Sequence, residues 1–451
     1  MILEDEVSQQ PLLARKLSRL DLTIIVIGSV IGSGIFLTPS GIARQLPSPP
    51  LILMVWVLGG LLALSGAFTF AELGARMPHA GGVYVFLTRA YGGLVGFLYG
   101  WAYFLVVNTG GLAALSIAFA TYLGFFVPLS PAGVKLVAIS GLVLLTAINY
   151  LGVKWGGIFA DVFTLLKLVG ILGVILVGFI GGQPDWDAFS RFWPKTEKSL
   201  GSAFALAMVG VLWSYGGWQH ATYMAEEARN EGRNLPFALI SGTMVVVLVY
   251  VCTNLAYFFL LPLQAIATSE RVAADAVATV LGPIGGQLIA VAIFVSVFGT
   301  AGIYTMTAPR IYYAMARDGV FFPKLAQIHP RFRVPTYAIL LQTVWAVFLI
   351  LSGTFYQLIT YVAFTDWIFF ALAGASVFIF RRQGRSQTVG FKTPGYPFTP
   401  VFFVAISTWF VFNTLVSSPV QALAGLGLLA MGIPVYVFWK RRSQTGGGNL
   451  Q

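Results

Sequence analysis

The sequence predicts an all-α membrane protein of twelve transmembrane helices, and three observations lead to that fold class. Of its 451 residues, 57% are hydrophobic and only 10% are charged, whereas about 25% of the residues in a soluble domain are charged. The apolar residues form long runs, each close to or above the roughly 20 residues that a helix needs to cross a bilayer. Two of these runs contain clustered glycines near their centres, which predicts interrupted helices.

The spans are separated by short polar segments that hold most of the charged residues. The apolar runs of spanning length occupy residues 20–46, 51–71, 93–123, 133–151, 157–181, 202–225, 236–262, 286–314, 335–353, 356–380, 398–417 and 420–439. We therefore expect a cytoplasmic segment at 1–19, a single transmembrane domain at 20–440 and a cytoplasmic tail at 441–451.

The distribution of Lys and Arg sets the expected orientation. With the N-terminus inside, 20 of the 27 Lys and Arg residues fall in cytoplasmic segments, six fall in outer segments, and Lys167 lies within a span. Cytoplasmic loops carry an excess of Lys and Arg, so we expect a multi-pass protein of the plasma or inner membrane with both termini in the cytoplasm. The net charge of +11 then reflects topology and not a nucleic-acid partner.

The first and sixth spans contain residues that interrupt helices. Gly28, Gly32 and Gly34 fall within seven residues of span 1, and Gly216 and Gly217 lie near the centre of span 6. Each glycine weakens a helix by about 1 kcal/mol relative to alanine. Backbone groups freed at this depth have to face a cavity or the protein interior. The alternative is that the glycines only allow close helix packing.

A pair of interrupted spans in corresponding positions is typical of inverted repeats with a binding site between them. Here the repeats would be about 20–181 and 202–380, with extra helices at about 398–439. The half-helix after Gly32 would begin with unpaired amides, which suit a carboxylate. The half-helices that end at the interruptions would offer carbonyl groups, which suit an ammonium group. An α-amino acid carries both groups.

Four motifs resemble those of the amino acid–polyamine–organocation (APC) permeases. They are Ile31–Phe36, Met77–Tyr84, Glu226–Pro236 and Pro309–Gly319. Within this superfamily, Leu212–Trp218 is similar to span 6 of the L-type amino acid transporter branch and its bacterial relatives. The resemblance implies a leucine-transporter-type five-plus-five repeat with two extra helices. It also implies secondary active, sodium-independent transport of L-amino acids by alternating access, as an exchanger.

The resemblance further implies which residues bind the substrate. The amides of Gly32, Ser33 and Gly34 would hold its carboxylate, and the carbonyls of Ile31 and Trp213 would receive its amine. The branch usually has phenylalanine at the position of Trp213, so the larger ring favours smaller substrates. The other expected substrate-binding residues, all in span 6, are Ser214, Tyr215, Gly216 and Gln219.

Two charged side chains lie deep within predicted spans, where a charge costs about 2.5–3.5 kcal/mol on insertion scales. In related sodium-coupled folds a cation binds between spans 1 and 8. The resemblance implies that the Lys167 ammonium replaces it, held by a carbonyl near Gly28 and by a hydroxyl of span 8, where Ser296 and Thr300 match. The alternative for Lys167 is snorkelling to the interface. Asp366 is either a proton-coupling or pocket-orienting carboxylate, or a hydrogen-bond acceptor in helix packing.

The first inner loop, at 72–92, contains an amphipathic stretch that predicts a short interfacial helix. Three acidic residues on the same side, Glu72, Glu226 and Glu227, have arginines nearby in the sequence. They would form either an inner-gate charge network or a solvated loop face.

No metal or cofactor is expected, because the three histidines lack metal-ligand spacing and no nucleotide-binding fingerprint is present. The one cysteine, Cys252, lies in a span, and residues 124–132 contain none. Eukaryotic members of the branch that the chain resembles pair with a glycoprotein through a cysteine in the loop between spans 3 and 4, which corresponds to 124–132 here. The resemblance therefore implies no disulfide-linked ancillary subunit, and the expected partners are the amino acid and the lipid bilayer.

Other functions stay open from the sequence. A proton-coupled symporter, or an exchanger of polyamines and amines, fits the same superfamily, and Asp366 motivates the proton-coupled form. A membrane-embedded enzyme needs clustered acid, base or nucleophilic groups near one interface, and the scattered histidines argue against it. A receptor built on the same fold would bind its ligand without moving it.

Overall fold

The architecture is helical throughout the described part of this computed structural model, which comprises residues 12–124, 126–190, 192–193, 200–353, 355–384, 390–417 and 419–446. The helices in chain order are α1 (Arg19–Val30), α2 (Gly34–Gln45), α3 (Pro49–Arg76), α4 (Val83–Tyr91), α5 (Gly93–Ala102), α6 (Asn108–Leu123), α7 (Pro131–Tyr150), α8 (Val153–Gly181), α9 (Trp186–Ser190), α10 (Leu200–Ser214), α11 (His220–Tyr223), α12 (Glu231–Leu260), α13 (Leu263–Thr268), α14 (Val272–Thr307), α15 (Pro309–Arg317), α16 (Thr336–Ser352), α17 (Phe355–Arg382), α18 (Phe398–Ser417) and α19 (Pro419–Gly446). A π-helix, Tyr103–Val107, joins α5 to α6.

Every apolar run that the sequence predicts as a span coincides with one helix or with consecutive helices. Within the described residues, nine helical segments are long and apolar enough to cross a membrane. Two shorter apolar helices, α10 and α16, coincide with further predicted spans. The total of twelve crossings and the boundaries of the two repeats stay predictions.

Both predicted interruptions are present. In span 1, α1 ends at Val30 and α2 begins at Gly34. In span 6, α10 ends at Ser214 and α11 begins at His220, so that five residues of non-helical chain separate them. Gly32, Gly216 and Gly217 lie in these gaps and Gly34 begins α2, because glycine leaves helical geometry at little steric cost. Gly28 lies within α1, where a Cβ atom would collide with the Thr164 side chain, so this glycine allows close packing.

The segment before α1 lies at one end of the helix bundle. We call this end, which includes Leu17, α4 and the chain at 225–229, the N-face. Ser18 and Asp21 form a capping box that starts α1. Leu17 is buried, and its amide donates to the Glu227 carbonyl at 3.0 Å, while the Arg229 amide donates to the Leu17 carbonyl at 2.8 Å. The N-terminal segment is therefore fixed to the chain that follows the interruption of span 6.

The amphipathic stretch in the first inner loop forms a helix, α4, but its position differs from the expectation. Val83, Tyr84, Phe86 and Leu87 are all buried. Their apolar side packs against protein, since α4 contacts α5, α15 and α17. The stretch therefore closes the N-face and does not lie with its apolar side in the lipid headgroup region.

The two interruptions contact each other. The Ser29 hydroxyl donates to the Gly217 carbonyl at 2.9 Å. Gly217 has a φ of 121°, and a Cβ atom there would lie 2.5 Å from the Ser29 carbonyl oxygen. Only glycine meets both requirements at this point, because a side chain would be strained and would collide with backbone.

Replacing Gly217 by alanine is expected to lower the free energy of unfolding by about 1–3 kcal/mol, because it adds backbone strain and a collision. Gly173→Ala is the matched control, since Gly173 lies in α8 with open space around its Cβ position, and alanine there is expected to be neutral or stabilising by up to about 1 kcal/mol. Denaturation in detergent micelles measures both. Equal stability of the two variants would contradict the close contact of the interruptions.

Candidate functional site

The side chain of Lys167 lies at the interruption of span 1. Its ammonium nitrogen donates to the Gly28 carbonyl at 2.9 Å, to the Ile31 carbonyl at 2.7 Å and to the Thr300 hydroxyl at 2.8 Å. An ammonium group has three hydrogens, so these three partners use all of them. The contacts that the sequence analysis expects of Lys167 are therefore present, and Lys167 does not snorkel, because its side chain is 1% exposed.

The end of α1 explains why a charge is tolerated at this depth. The carbonyls at the C-terminal end of a helix carry a partial negative charge and lack helical donors. Lys167 and Thr300 supply donors to the carbonyls of Gly28 and Ile31, and Ser296 adds a hydroxyl 3.1 Å from the Gly32 carbonyl. The Lys167 ammonium therefore supplies donors to the carbonyls at the end of α1, and the partial negative charge of these carbonyls stabilises the ammonium.

The carbonyl of Ile31 is used differently from the expectation. Besides Lys167, the hydroxyls of Thr300 and Ser296 lie 3.0 Å and 3.3 Å from its oxygen. A carbonyl oxygen has two lone pairs; Lys167 uses one of them, and the two hydroxyls, each with a single hydrogen, lie against the other and leave little room for a further donor. The amine of a substrate would then need carbonyls of span 6.

The amide of Gly32 is also engaged within the chain. It donates to the Val30 carbonyl at 2.8 Å, which closes an inverse γ-turn around Ile31. The start of α2 follows directly, and the first amides of any helix have no preceding turn to donate to. Of the three amides expected to bind a carboxylate, those of Ser33 and Gly34 are therefore the ones at an open helix start.

Two of the expected residues of span 6, Ser214 and Tyr215, have contacts within the protein. The Ser214 hydroxyl lies 2.9 Å from that of Thr38 in α2. The Tyr215 hydroxyl donates to the Trp56 carbonyl at 3.1 Å, so its side chain packs towards α3 and away from the interruption. Trp213 is 48% exposed, and its expected position above the substrate stays a prediction.

The backbone of span 6 is held by short local bonds. The Gly216 amide donates to the Trp213 carbonyl at 3.2 Å. The Gly217 amide donates to the Gln219 side-chain oxygen at 3.0 Å, and the Gln219 side-chain amide donates to the Tyr103 hydroxyl at 3.2 Å. Gln219 therefore supports the interruption with both polar ends of its side chain.

Two tyrosines that the sequence did not single out border the interruptions. The Tyr250 hydroxyl lies 3.0 Å from the Val30 carbonyl and 3.2 Å from the Ser214 carbonyl, so it joins the ends of α1 and α10. Tyr257 donates to the Ile35 carbonyl at 3.3 Å. These tyrosines are seven residues apart, which places them on one face of α12, and that spacing was the available signal.

Asp366, in α17, lies close to Tyr99, Tyr103 and Tyr223. One of its carboxyl oxygens is buried and has no hydrogen-bond partner among the described residues. Burial of a polar atom without a donor is unfavourable. The role of Asp366, as a proton-coupling or pocket-orienting carboxylate or as an acceptor in helix packing, stays a prediction.

Charged residues are concentrated at the N-face. Glu227 and Arg310 form a two-point ion pair, with distances of 2.8 Å and 3.0 Å between guanidinium nitrogens and carboxylate oxygens, and the side chains are 0% and 1% exposed. The pair joins the chain after α11 to α15. Glu226 lies 3.6 Å from Arg317 and accepts a hydrogen bond from the amide of Ala80.

A second buried carboxylate at the N-face is Glu72 of α3. It accepts hydrogen bonds from Arg76 at 3.1 Å, from Arg381 of α17 at 2.9 Å and from the amide of Thr393 at 2.8 Å. Because Glu72 and Glu227 are buried, they are part of an interior charge network and not of a solvated loop.

The Tyr84 hydroxyl of α4 adds another contact by donating to the Asp318 carboxylate at 2.7 Å. Burial and the negative charge of Asp318 raise the pKa of this hydroxyl above its usual range, so it stays protonated and donates at neutral pH. The bond joins α4 to the end of α15.

Comparison with known proteins decides the family. Residues 17–438 match the amino acid permease family. The chain belongs to that family. The permease is 31% identical to the serine/threonine exchanger SteT of Bacillus subtilis over 425 residues, which cover 93% of this chain and 96% of the relative.

Mammalian relatives of the permease cover a similar share of the chain. It is 30% identical to the large neutral amino acids transporter small subunit 2 of Homo sapiens over 445 residues, which cover 93% of this chain and 79% of the relative. It is 29% identical to the b(0,+)-type amino acid transporter 1 of Mus musculus over 400 residues, or 88% of this chain and 81% of the relative.

These matches confirm the APC resemblance and the predicted fold class, an all-α membrane protein of the leucine-transporter type. The permease is a multi-pass membrane transporter of amino acids and not an enzyme. The roles of the individual residues at the interruptions stay predictions.

Truncation of the buried ion pair at the N-face is expected to destabilise the permease strongly. Arg310→Ala leaves Glu227 as an uncompensated buried charge, which costs about 3–5 kcal/mol. Arg271→Ala is the matched control, because Arg271 lies 3.5 Å from Asp275 in a solvent-exposed pair, for which a loss below about 1 kcal/mol is expected. Denaturant unfolding in detergent measures both variants, and similar small losses would contradict the buried pair.

Proposed function

We propose that the permease exchanges L-amino acids across the cell membrane by alternating access, independently of sodium. The observation that carries this proposal is the direct contact of two interrupted helices at Ser29 and Gly217. Interruptions at this depth bring helix starts and helix ends, and so both signs of partial charge, to one place. A zwitterion is the class of solute that uses both.

The substrate carboxylate would bind at the start of α2, on the amides of Ser33 and Gly34. Helix starts favour anions through their amides and their partial positive charge. The amine would bind at carbonyls near the end of α10, including that of Trp213, which accepts one backbone bond from Gly216 and keeps a second lone pair. The Ile31 carbonyl is less accessible, because Lys167 and two hydroxyls lie against it. Trp213 would cover the side chain of a small amino acid.

The position of Lys167 supports sodium independence. A sodium ion bound between spans 1 and 8 would need backbone carbonyls and hydroxyls as ligands, since hard cations prefer oxygen. The Lys167 nitrogen uses such groups, the carbonyls of Gly28 and Ile31 and the hydroxyl of Thr300. A covalently attached cation then performs the structural role of the ion without being transported.

Alternating access would proceed by rocking of one group of helices against another, with repeats at about 20–181 and 202–380. The N-face would face the cytoplasm, as the Lys and Arg distribution favours. In the present conformation the pairs Glu227–Arg310 and Glu72–Arg381 join separate helices there. We expect these pairs to separate when the site opens to that side.

The permease would function without a disulfide-linked subunit. The human relative is named a small subunit. The chain described here has one cysteine, Cys252, which lies within α12, and its loop at 124–132 has no cysteine for such a bond.

Proton-coupled symport is a second candidate, and Asp366 favours it. Its buried carboxyl oxygen has no donor among the described residues, and a titratable group inside a transmembrane bundle commonly marks a proton path. An exchanger of amines would lack a use for the helix start at Ser33 and Gly34, so we rank it below both.

Uptake of radiolabelled L-serine into proteoliposomes separates these functions. L-serine is the first probe because SteT is named a serine/threonine exchanger. We expect uptake only into liposomes preloaded with amino acid, and equal rates in sodium and in choline buffer. Uptake into empty liposomes under an inward proton gradient, abolished by Asp366→Asn, would favour symport. Absence of uptake for every amino acid in a panel of twenty would overturn both candidates.

Lys167→Ala is expected to reduce exchange at least about tenfold, because the carbonyls at the end of α1 lose their cation and keep only hydroxyl partners, which have too few hydrogens for all of them. Lys135→Ala is the matched control: the Lys135 ammonium also donates to a carbonyl, that of Leu351, but at an exposed site, so exchange should change less than about twofold. Rates are measured in sodium and in choline buffer. Wild-type exchange by Lys167→Ala in both buffers would contradict the proposed role.

A further inference from the structure

One turn of span 3 departs from α-helical geometry. Residues Tyr103–Val107 form a π-helix, and the amide of Asn108 donates to the carbonyl of Tyr103, five residues earlier. The side-chain hydroxyl of the following residue, Thr109, also donates to a carbonyl five residues earlier, that of Phe104, at 2.7 Å. Single π-turns inside α-helices are rare and are frequently found at functional sites. This one begins at Tyr103.

The hydroxyl of Tyr103 is the centre of a buried cluster. It accepts one hydrogen bond from the Tyr223 hydroxyl at 2.8 Å and one from the Gln219 side-chain amide at 3.2 Å. The Tyr223 hydroxyl lies 2.7 Å from that of Tyr99. Two donors use both lone pairs of the Tyr103 oxygen. All four side chains are buried, so water does not replace a partner that is removed.

Gln219 extends this cluster to the interruption of span 6. Its side-chain oxygen accepts the Gly217 amide at 3.0 Å while its side-chain nitrogen is held by Tyr103. A glutamine side chain has several rotatable bonds and loses rotamer freedom when it is fixed. The second bond, to Tyr103, fixes the Gln219 side chain in the position that holds the Gly217 amide. Gly217 is the residue that contacts Ser29 of span 1.

We infer that Tyr103 is a positioning residue for amino acid binding, which acts through Gln219 to fix the Gly217 peptide where spans 1 and 6 meet. The inference rests on the proposed function, because it takes the interruptions as the binding site. The π-turn sets the Tyr103 hydroxyl, the hydroxyl orients Gln219, and Gln219 orients the peptide that places the carbonyls of span 6. Gln219 then supports the site and does not itself bind the substrate.

The test is a double-mutant cycle on L-serine binding by the full-length permease in detergent. Tyr103→Phe removes one oxygen atom and retains the ring, and it leaves a buried donor of Gln219 without a partner. We expect the Kd to rise about tenfold, the effect of one lost buried hydrogen bond. Gln219→Met removes the other partner of this hydrogen bond and should raise the Kd by a similar factor. In the Gln219→Met background, Tyr103→Phe should change the Kd less than about twofold.

The matched control is Tyr99→Phe, which removes a hydroxyl from the same cluster without touching Gln219 and should leave the Kd within about twofold of the wild-type value. Exchange in proteoliposomes adds a second readout: Tyr103→Phe should raise the KM and leave the maximal rate close to that of the wild type. A general loss of folding would lower the maximal rate in both tyrosine variants.

Three results would overturn the inference, and they differ in what they imply for the proposed function. A wild-type Kd for Tyr103→Phe, or an undiminished effect of Tyr103→Phe in the Gln219→Met background, would overturn it while leaving the proposed function in place. If Tyr103→Phe does not fold, an unchanged Kd for Gln219→Met would overturn it from the other end of the bond. If the wild-type permease binds none of the twenty amino acids, the proposed function fails and this inference fails with it.

Discussion

Backbone groups released inside a membrane need partners, and this requirement controls the centre of the permease. The ends of α1 and α10 leave carbonyls without helical donors, and no water from the bilayer can satisfy them. Lys167 and Thr300 supply donors at the end of α1, and Tyr250 supplies a hydroxyl that lies between the two ends. Each partner comes from a different helix. The interruptions therefore tie spans 1, 5, 6, 7 and 8 to one point.

The partners also define what is left for a substrate. Lys167 and two neighbouring hydroxyls lie against the Ile31 carbonyl, and an inverse γ-turn uses the Gly32 amide. The groups that the protein does not need are those at the start of α2. A site of this kind combines rigidity with selectivity, because the same bonds that stabilise the broken backbone decide which dipoles face the solute.

Charge is distributed between two regions with different physical roles. At the centre, the single ammonium of Lys167 contacts neutral oxygens, and its stability depends on the dipole of α1. At the N-face, Glu72 and Glu227 are buried with arginines, and these ion pairs join helices that are distant in sequence. A buried ion pair gains little net stability but is specific in geometry. Such contacts suit a surface that has to close in one defined arrangement and separate again.

The sequence alone determined the fold class and the two interruptions, because hydrophobic runs and clustered glycines act locally along the chain. The resemblance located Lys167 and Thr300 correctly relative to Gly28. Only the tertiary structure decided which groups the protein itself uses, such as the Ile31 carbonyl, and which tyrosines reach the interruptions, because hydrogen bonds between residues more than a hundred positions apart depend on how helices pack. The burial of α4 also depended on helix packing. Its amphipathic pattern is compatible with an apolar side buried in lipid or against protein, and only the positions of the neighbouring helices show that it packs against protein.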